Sequence, residues 1–218
     1  MRPPRPHLPP RASDQAYGWL LERILDLRIP PGTVVNEQQL AAEIGLGRMP
    51  VREALARLAG DRFTTVLARR STVVTSLGLD DVLDLFEARE AVQCGVAYIA
   101  ASKASDDDLA MLAKLIRSAE SARQDREALA FLSDDYEIHL FLIHMIDNVL
   151  LQDAAELLLK HNLRFWRSYW STRPAQPTNM VSHRPMLAAL RNRDSTAAEQ
   201  AMREHIQQSR RLLASAFS

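Results

Sequence analysis

Glycine, aromatic residues and cysteine are all scarce in this chain of 218 residues: seven Gly, 6% Phe, Trp and Tyr, and a single cysteine, Cys94. So few glycines and aromatics, against many Leu, Ala, Arg and Glu, argue against a β-sandwich or a collagen-like chain and favour helices. A lone cysteine closes no intramolecular disulfide and suits a reducing compartment; Cys94 itself reads as a small buried residue. No apolar run reaches the roughly 18–20 residues that span a bilayer. The first twenty residues also lack the apolar stretch of a signal peptide, so a soluble, cytoplasmic protein with no membrane partner is expected. Nor is there an excess of charge of either sign, with 27 basic and 27 acidic side chains. As a whole the chain is neither a polybasic nucleic-acid coat nor an acidic tail protein. What is present is 47% hydrophobic residues, enough to fill the cores of two small domains or one larger one.

Neutrality conceals an asymmetry. The first 76 residues carry eleven Lys and Arg against seven Asp and Glu, a balance of +4, and the remainder balances at −4. Residues 1–12 hold five of the eleven prolines and three arginines, which reads as a flexible basic arm. A boundary is expected near Ser76, where a β-like stretch ends and Asp80-Asp81 opens a long helical pattern. The expected division is therefore an arm over 1–12, a first domain over 13–76 and a second over 77–218.

Within the first domain Tyr17, Leu20, Leu21, Ile24 and Leu25 recur at helical spacing, and Pro30-Pro31-Gly32 stops that helix. Asn36 is a candidate N-cap, with Gln39 three positions on, for a short helix that Gly45 ends. A third helix starts near Arg48, carries Val51, Leu55 and Leu58 on one face, and accommodates Pro50 in its first turn. Thr64 to Ala68 and Thr72 to Thr75 are β-rich and flank Arg69-Arg70-Ser71, predicting a hairpin with a basic tip. This order is that of a winged helix-turn-helix. In such a unit the third helix enters the DNA major groove, so Arg48 and Arg52, four apart and opposite the apolar stripe, are candidates for base contact. Arginine there can grip guanine O6 and N7 together, while Arg69 and Arg70 on the wing would meet phosphates. Spacing alone leaves open a solvated basic helix face.

These residues resemble a family. The stretch LLERILDLRIPPGTVVNEQQLAAEIGLGRMPVREALARL is similar to the N-terminal domain of GntR-type bacterial transcription regulators, and PVREALARL is its most specific piece. The resemblance covers about residues 13–76 and implies DNA contact at Arg48, at Arg52 and at the wing around Arg70. Three positions depart from the pattern: Gly47 replaces a Ser or Thr, Arg62 replaces a glycine, and Ser71 replaces the wing glycine. They bear on operator sequence and affinity.

From Asp80 onward six amphipathic segments, near 79–103, 106–122, 126–146, 149–171, 179–192 and 195–216, predict an antiparallel all-α bundle of about six helices. The fold class expected for the whole is thus mainly α, a winged head plus a helical bundle. Asp135 and His139, four apart, project from one helix face. His183 and His205 lie about equally far on either side of the turn at Arg193-Asp194, so an antiparallel helix pair brings them level. Three imidazoles and one carboxylate suit Zn, Ni, Mn or Fe better than Ca or Mg, without choosing among them. Buried or surface histidines with no metal role are the alternative. Trp166, Tyr169 and Trp170 read first as helical core, and His144 and His161 lack partners at ligand spacing.

Residues 80–216 in turn resemble the effector domain of the FadR subgroup of the same regulators, through LFEAREAVQCGVAYIAA, DYEIH and HRPMLAALRNRDSTAAEQAMREHI. The resemblance implies a divalent ion, zinc foremost, held by Asp135, His139, His183 and His205. It also implies that Arg89 faces the ligand cavity and pairs with an effector carboxylate, for which a planar guanidinium fork is suited; a surface salt bridge to Glu90 or Asp84 is the plainer role. Gln93 stands where related sequences usually carry Glu. Six helices rather than seven place the chain nearer the VanR-like branch. The expectation is a non-enzymatic, ligand-responsive repressor that binds a near-palindromic double-stranded operator as a homodimer and senses a small organic acid. A metal-dependent hydrolase and an interaction module that has lost DNA binding are the rivals.

Overall fold

The computed structural model describes residues 11–67, 71–121, 128–171 and 181–214. The wing-tip arginines Arg69 and Arg70 and most of the N-terminal arm lie outside the described residues. The chain divides between Leu77 and Gly78 into two units.

In the first unit, helix α1 (Ala12–Leu25) starts one residue inside the expected arm and buries Ala16, Leu20, Leu21 and Ile24. These pack on Val51, Ala54, Leu55 and Leu58 of α3 (Arg48–Gly60), the face its 3.6-residue period dictates. Between them α2 (Glu37–Ile44) is capped by Asn36, whose Oδ1 accepts from the backbone of Gln38 at 2.9 Å and of Gln39 at 3.1 Å. The Gln39 side chain donates to Glu43 instead of returning to the cap. Gly45, at φ 75°, ends α2 in the left-handed region that lacks a steric penalty only for glycine. Strands β2 (Thr64–Val66) and β3 (Thr72–Val74) form the wing hairpin, Thr65 opposite Val73. A third strand that the sequence pattern did not disclose, β1 (Val34–Val35), pairs antiparallel with β3, giving the order β1-β3-β2. Two residues are too few to show an alternation of period two.

Arg62, one of the departures from the family pattern, adopts φ 62°. A side chain there costs about 1–2 kcal/mol relative to glycine, part of which the greater freedom of an unfolded glycine offsets. Arg62→Gly is therefore expected to raise the unfolding free energy by about 0.5–1 kcal/mol, read by urea denaturation; a loss of stability would contradict the backbone assignment.

Among the described residues of the second unit there are six helices: α4 (Leu79–Lys103), α5 (Asp106–Ser121), α6 (Ala128–His144), α7 (Val149–Ser171), α8 (Arg184–Arg191) and α9 (Ser195–Ala214). Helix α4 packs against α6, α7, α8 and α9 through one broad face, which buries Phe86, Arg89, Gln93, Cys94, Val96 and Ala97 among others, while Asp80, Asp84, Glu87, Ala91 and Tyr98 stay exposed on the opposite side. Asp81 closes its N-terminus by accepting from the Gly78 N–H at 2.8 Å. Phe86 meets Trp166 of α7 edge-on at 6.4 Å. Arg193, at φ 56°, makes the tight turn that lays α9 back on α8. No helix among the described residues is long and apolar enough to cross a membrane.

Candidate functional site

In the first unit Arg48 and Arg52 both reach solvent, their side chains 61% and 56% exposed. They border a cleft of about 920 Å³ shared with Glu37 on α2 and with Val66 and Ser71 of the wing. Arg52 is not loose in that cleft. Its Nε and Nη2 donate to the Glu37 carboxylate, with Nε 3.3 and 3.2 Å from its two oxygens and Nη2 3.0 Å from Oε2, while Arg48 Nη2 lies 4.0 Å from the same group. Glu37 carries no signal in the sequence, because its partner is fifteen residues away and only the packing of α2 on α3 brings them together. Gly47 caps α3 without a side-chain bond.

In the second unit the four candidate ligands converge. Asp135 and His139 come from α6, His205 from α9, and His183 from the N-cap of α8. The sequence pattern places His183 within a helix; Pro185 opens the helix just after it, leaving His183 at the cap. One donor atom from each of the four lies within 4.8 Å of the others. His139 Nε2 stands 3.1 Å from His205 Nε2 and 3.3 Å from His183 Nε2. Asp135 Oδ1 is 3.3 Å from His183 Nε2 and 3.9 Å from each of the other two.

The 3.1 and 3.3 Å spacings are those a shared metal ion sets, and the two of 3.9 Å would close by about half an ångström on it. Metal–nitrogen bonds of about 2.1 Å set neighbouring donors about 3.0–3.4 Å apart in octahedral or tetrahedral shells. Three ring nitrogens crowded on one point are otherwise hard to satisfy, since each N···N contact has room for one proton and the remaining lone pairs oppose one another. Electrostatics agrees. Burial alone would raise the Asp135 carboxyl, yet the imidazoles, His139 foremost, hold it well below the usual carboxylate range. Burial pushes His139 down to about 3 against the pull of Asp135, and lowers His205 well below an ordinary imidazole. The cluster thus presents neutral imidazoles at His139 and His205 beside an ionised carboxylate, the protonation states a divalent ion requires.

Arg89 belongs to the same electrostatic cluster. It is 1% exposed, so the surface salt bridge to Glu90 or Asp84 is set aside. Its Nε donates to Gln93 Oε1 at 3.1 Å and its Nη1 to Asn162 Oδ1 at 2.7 Å. Burial lowers its pKa to about 10, with the Asp135 charge acting the other way, and its own charge in turn depresses His139 and His205. Asn162 and the fully buried Arg164 on α7 are functional candidates that the sequence pattern does not single out. The available signal was Asn162 four residues before Trp166, a polar side chain on what the aromatics mark as a core face. His144 pairs with Glu156 at 2.7 Å, away from this cluster. Cys94 is buried, which pushes its thiol up to about 11 and leaves it no reactive thiolate.

A winged helix-turn-helix unit followed by an all-helical unit with a buried polar centre is the architecture of a two-domain DNA-binding regulator. Residues 12–74 match the gntR family of bacterial regulatory proteins and residues 84–208 match the FCD domain, so this chain belongs to the GntR family of transcription regulators, in the branch that carries an FCD domain. It is 28% identical over 198 residues to the HTH-type transcriptional repressor RspR of Escherichia coli K12, covering 90% of this chain and 86% of that one. The repressor GlaR of the same strain is 25% identical over 203 residues, 87% and 90% of the two chains. Among solved structures, McbR/YncC of E. coli superposes with a TM-score of 0.81 at 20% identity over 96% of this chain and 100% of that one, a likeness of fold. The family regulates transcription and is not enzymatic, so the metal-dependent hydrolase reading falls.

Proposed function

We propose that this protein is a repressor that binds operator DNA as a homodimer through Arg48 and Arg52, and releases it when a small carboxylate enters a metal-containing pocket lined by Arg89. The observation that carries the sensor half is the convergence of Asp135, His139, His183 and His205 on one point, with the buried Arg89 guanidinium acting on the same carboxylate. Asp135 and the three histidines would hold the ion, zinc foremost; bound there, it supplies Lewis-acid attraction for an anion. Arg89 supplies a hydrogen-bonding fork for the carboxylate. Two heads related by a two-fold axis read two half-sites, hence a near-palindromic operator. A ligand moves such an equilibrium only by its differential affinity for the two head arrangements. The names of RspR and GlaR as repressors support the sign of regulation.

The direct test is a gel shift against the promoter region adjoining the protein's own gene, with zinc and with a chelator. A retarded band at low salt that weakens steeply as salt rises is expected, since phosphate contacts dominate there. No band at low salt under either condition would sink the reading and favour an interaction module that has lost its DNA.

Glu37 makes a second expectation. An exposed pair contributes about 0–1 kcal/mol to stability, so Glu37→Gln should leave the melting temperature nearly unchanged. Released from its partner, Arg52 loses its fixed direction and each head gains one positive charge. Binding to a scrambled duplex should then tighten several-fold while the operator's advantage shrinks. An unaltered ratio in filter binding would show that Glu37 has no part in aiming Arg52.

Acid should weaken the second unit. His139 and His205 have folded pKa values below the ordinary 6.5 or so, His139 at about 3, so between those values the unfolded chain binds more protons than the folded one. Their titration therefore costs nothing above about pH 6.5 and destabilises the fold increasingly as pH falls below it. The chelator-treated protein should melt at progressively lower temperature from pH 7 to pH 5; a flat profile over that range would contradict buried neutral imidazoles.

A further inference from the structure

Gln93 sits on α4 one turn after Arg89 and is 1% exposed. Its neighbour fixes which way the amide points. Arg89 Nε donates to Gln93 Oε1 at 3.1 Å, and a guanidinium has no acceptor to offer an amide nitrogen, so the oxygen is the atom that meets Arg89 and the nitrogen beside it must donate to something else. That nitrogen, Nε2, is buried and has no hydrogen-bond partner among the described residues. Buried donors are almost always satisfied, and leaving one unmade carries the full cost of desolvating it. A methionine would fill similar volume without that cost. Arg89, meanwhile, directs these bonds to neutral oxygens, those of Gln93 and Asn162, and the carboxylate whose charge acts on it is Asp135.

We propose that Gln93 is an effector-binding residue, its Nε2 donating to an oxygen of the anion that Arg89 holds, and that a neutral amide at this position sets the preferred charge of that anion at two. The inference rests on the effector-pocket reading above. With a divalent ion on Asp135 and the three histidines, Asp135, Arg89 and the ion sum to +2, in a core where unbalanced charge is costly. A dicarboxylate cancels that charge, whereas a monocarboxylate leaves one unit. A glutamate at 93 would supply one of the two negative charges from within and occupy Arg89 as an ion pair. The amide leaves both the charge and a second donor to the ligand.

The experiment is calorimetric titration of the zinc-loaded full chain with acetate, propionate, malonate, succinate and glutarate, for wild type, Gln93→Glu and Gln93→Met. Metal content and melting temperature are measured alongside. Wild type is expected to bind its best dicarboxylate at least roughly tenfold more tightly than its best monocarboxylate. Gln93→Glu, nearly the same shape, should weaken the dicarboxylate by roughly tenfold or more and bring the ratio toward one. Gln93→Met should weaken both classes and keep the preference, because it removes a donor and adds no charge. A folded, zinc-loaded Gln93→Glu with wild-type charge selectivity overturns the assignment while the pocket reading stands. If Gln93→Glu fails to fold, wild-type affinity of Gln93→Met for all five acids overturns it instead. Wild type that binds none of the five defeats the pocket reading, and this inference with it.

Discussion

His205→Ala is expected to leave the purified protein nearly free of bound metal and to lower its melting temperature by roughly 10 °C in the presence of zinc. The reason lies in what ligation does to the folding equilibrium. An ion that binds the folded state and has no preformed site in the unfolded chain stabilises by RT ln(1 + [L]/Kd), about 4 kcal/mol at a thousand-fold excess over Kd. For a unit of this size each kcal/mol moves the midpoint by about 2–4 °C. His205 contributes from α9, whereas Asp135 and His139 share α6 and His183 precedes α8, so losing it removes the link from one of three separate elements. In the absence of metal the effect has the opposite tendency. His205 Nε2 lies 3.1 Å from His139 Nε2, its Nδ1 is buried without a hydrogen-bond partner among the described residues, and its ring is held neutral by burial. Taking away such a ring relieves crowding while opening a small cavity, so chelated wild type and His205→Ala should melt within a few degrees of each other. The diagnostic is therefore an interaction: zinc raises the wild-type midpoint strongly and leaves the variant's in place. Equal metal content in the two proteins by elemental analysis would refute the site.

How far this arrangement is readable from residues alone depends on whether the contact is local. Asp135 and His139 need only the 3.6-residue period to share a face. The helix-turn-helix order follows from caps and breakers such as Asn36, Gly45 and Pro30-Pro31-Gly32, each acting over three or four residues. Glu37 on Arg52 and Asn162 on Arg89 are not readable, being set by how α2 meets α3 and α4 meets α7. The burial of Arg89 is only half legible: at 3.6 residues per turn it falls in line with Val82, Phe86, Gln93 and Val96, opposite the exposed Asp84, Glu87 and Ala91, but the period does not say whether an arginine on that face turns inward or reaches out to solvent. Family likeness points at Arg89 for a ligand role, but only the packing explains how a guanidinium is kept there, by two amide oxygens in place of water.

The other large effect is expected at the DNA. Arg52→Ala should weaken operator binding by roughly tenfold to a hundredfold per half-site, because one bidentate arginine–guanine contact gives about 1–3 kcal/mol of discrimination. In a two-fold dimer the substitution enters twice, so the whole operator should lose about 2–6 kcal/mol, enough to abolish a specific band at physiological salt. The fold should survive: Arg52 is more than half exposed, and the pair it makes with Glu37 adds little stability in solvent. What separates a base reader from a phosphate clamp is the salt dependence. Removing a base reader leaves the slope of log K against log salt unchanged and erases preference at one base pair of each half-site. Removing a phosphate clamp weakens every sequence alike and flattens the slope by about one unit per head. The bidentate hold of Glu37 favours the first outcome, since it fixes the direction of a planar guanidinium as base-edge recognition requires and simple phosphate attraction does not. Operator affinity unchanged in Arg52→Ala would remove Arg52 from the reading surface, and a uniform loss with a flatter slope would move it to the backbone.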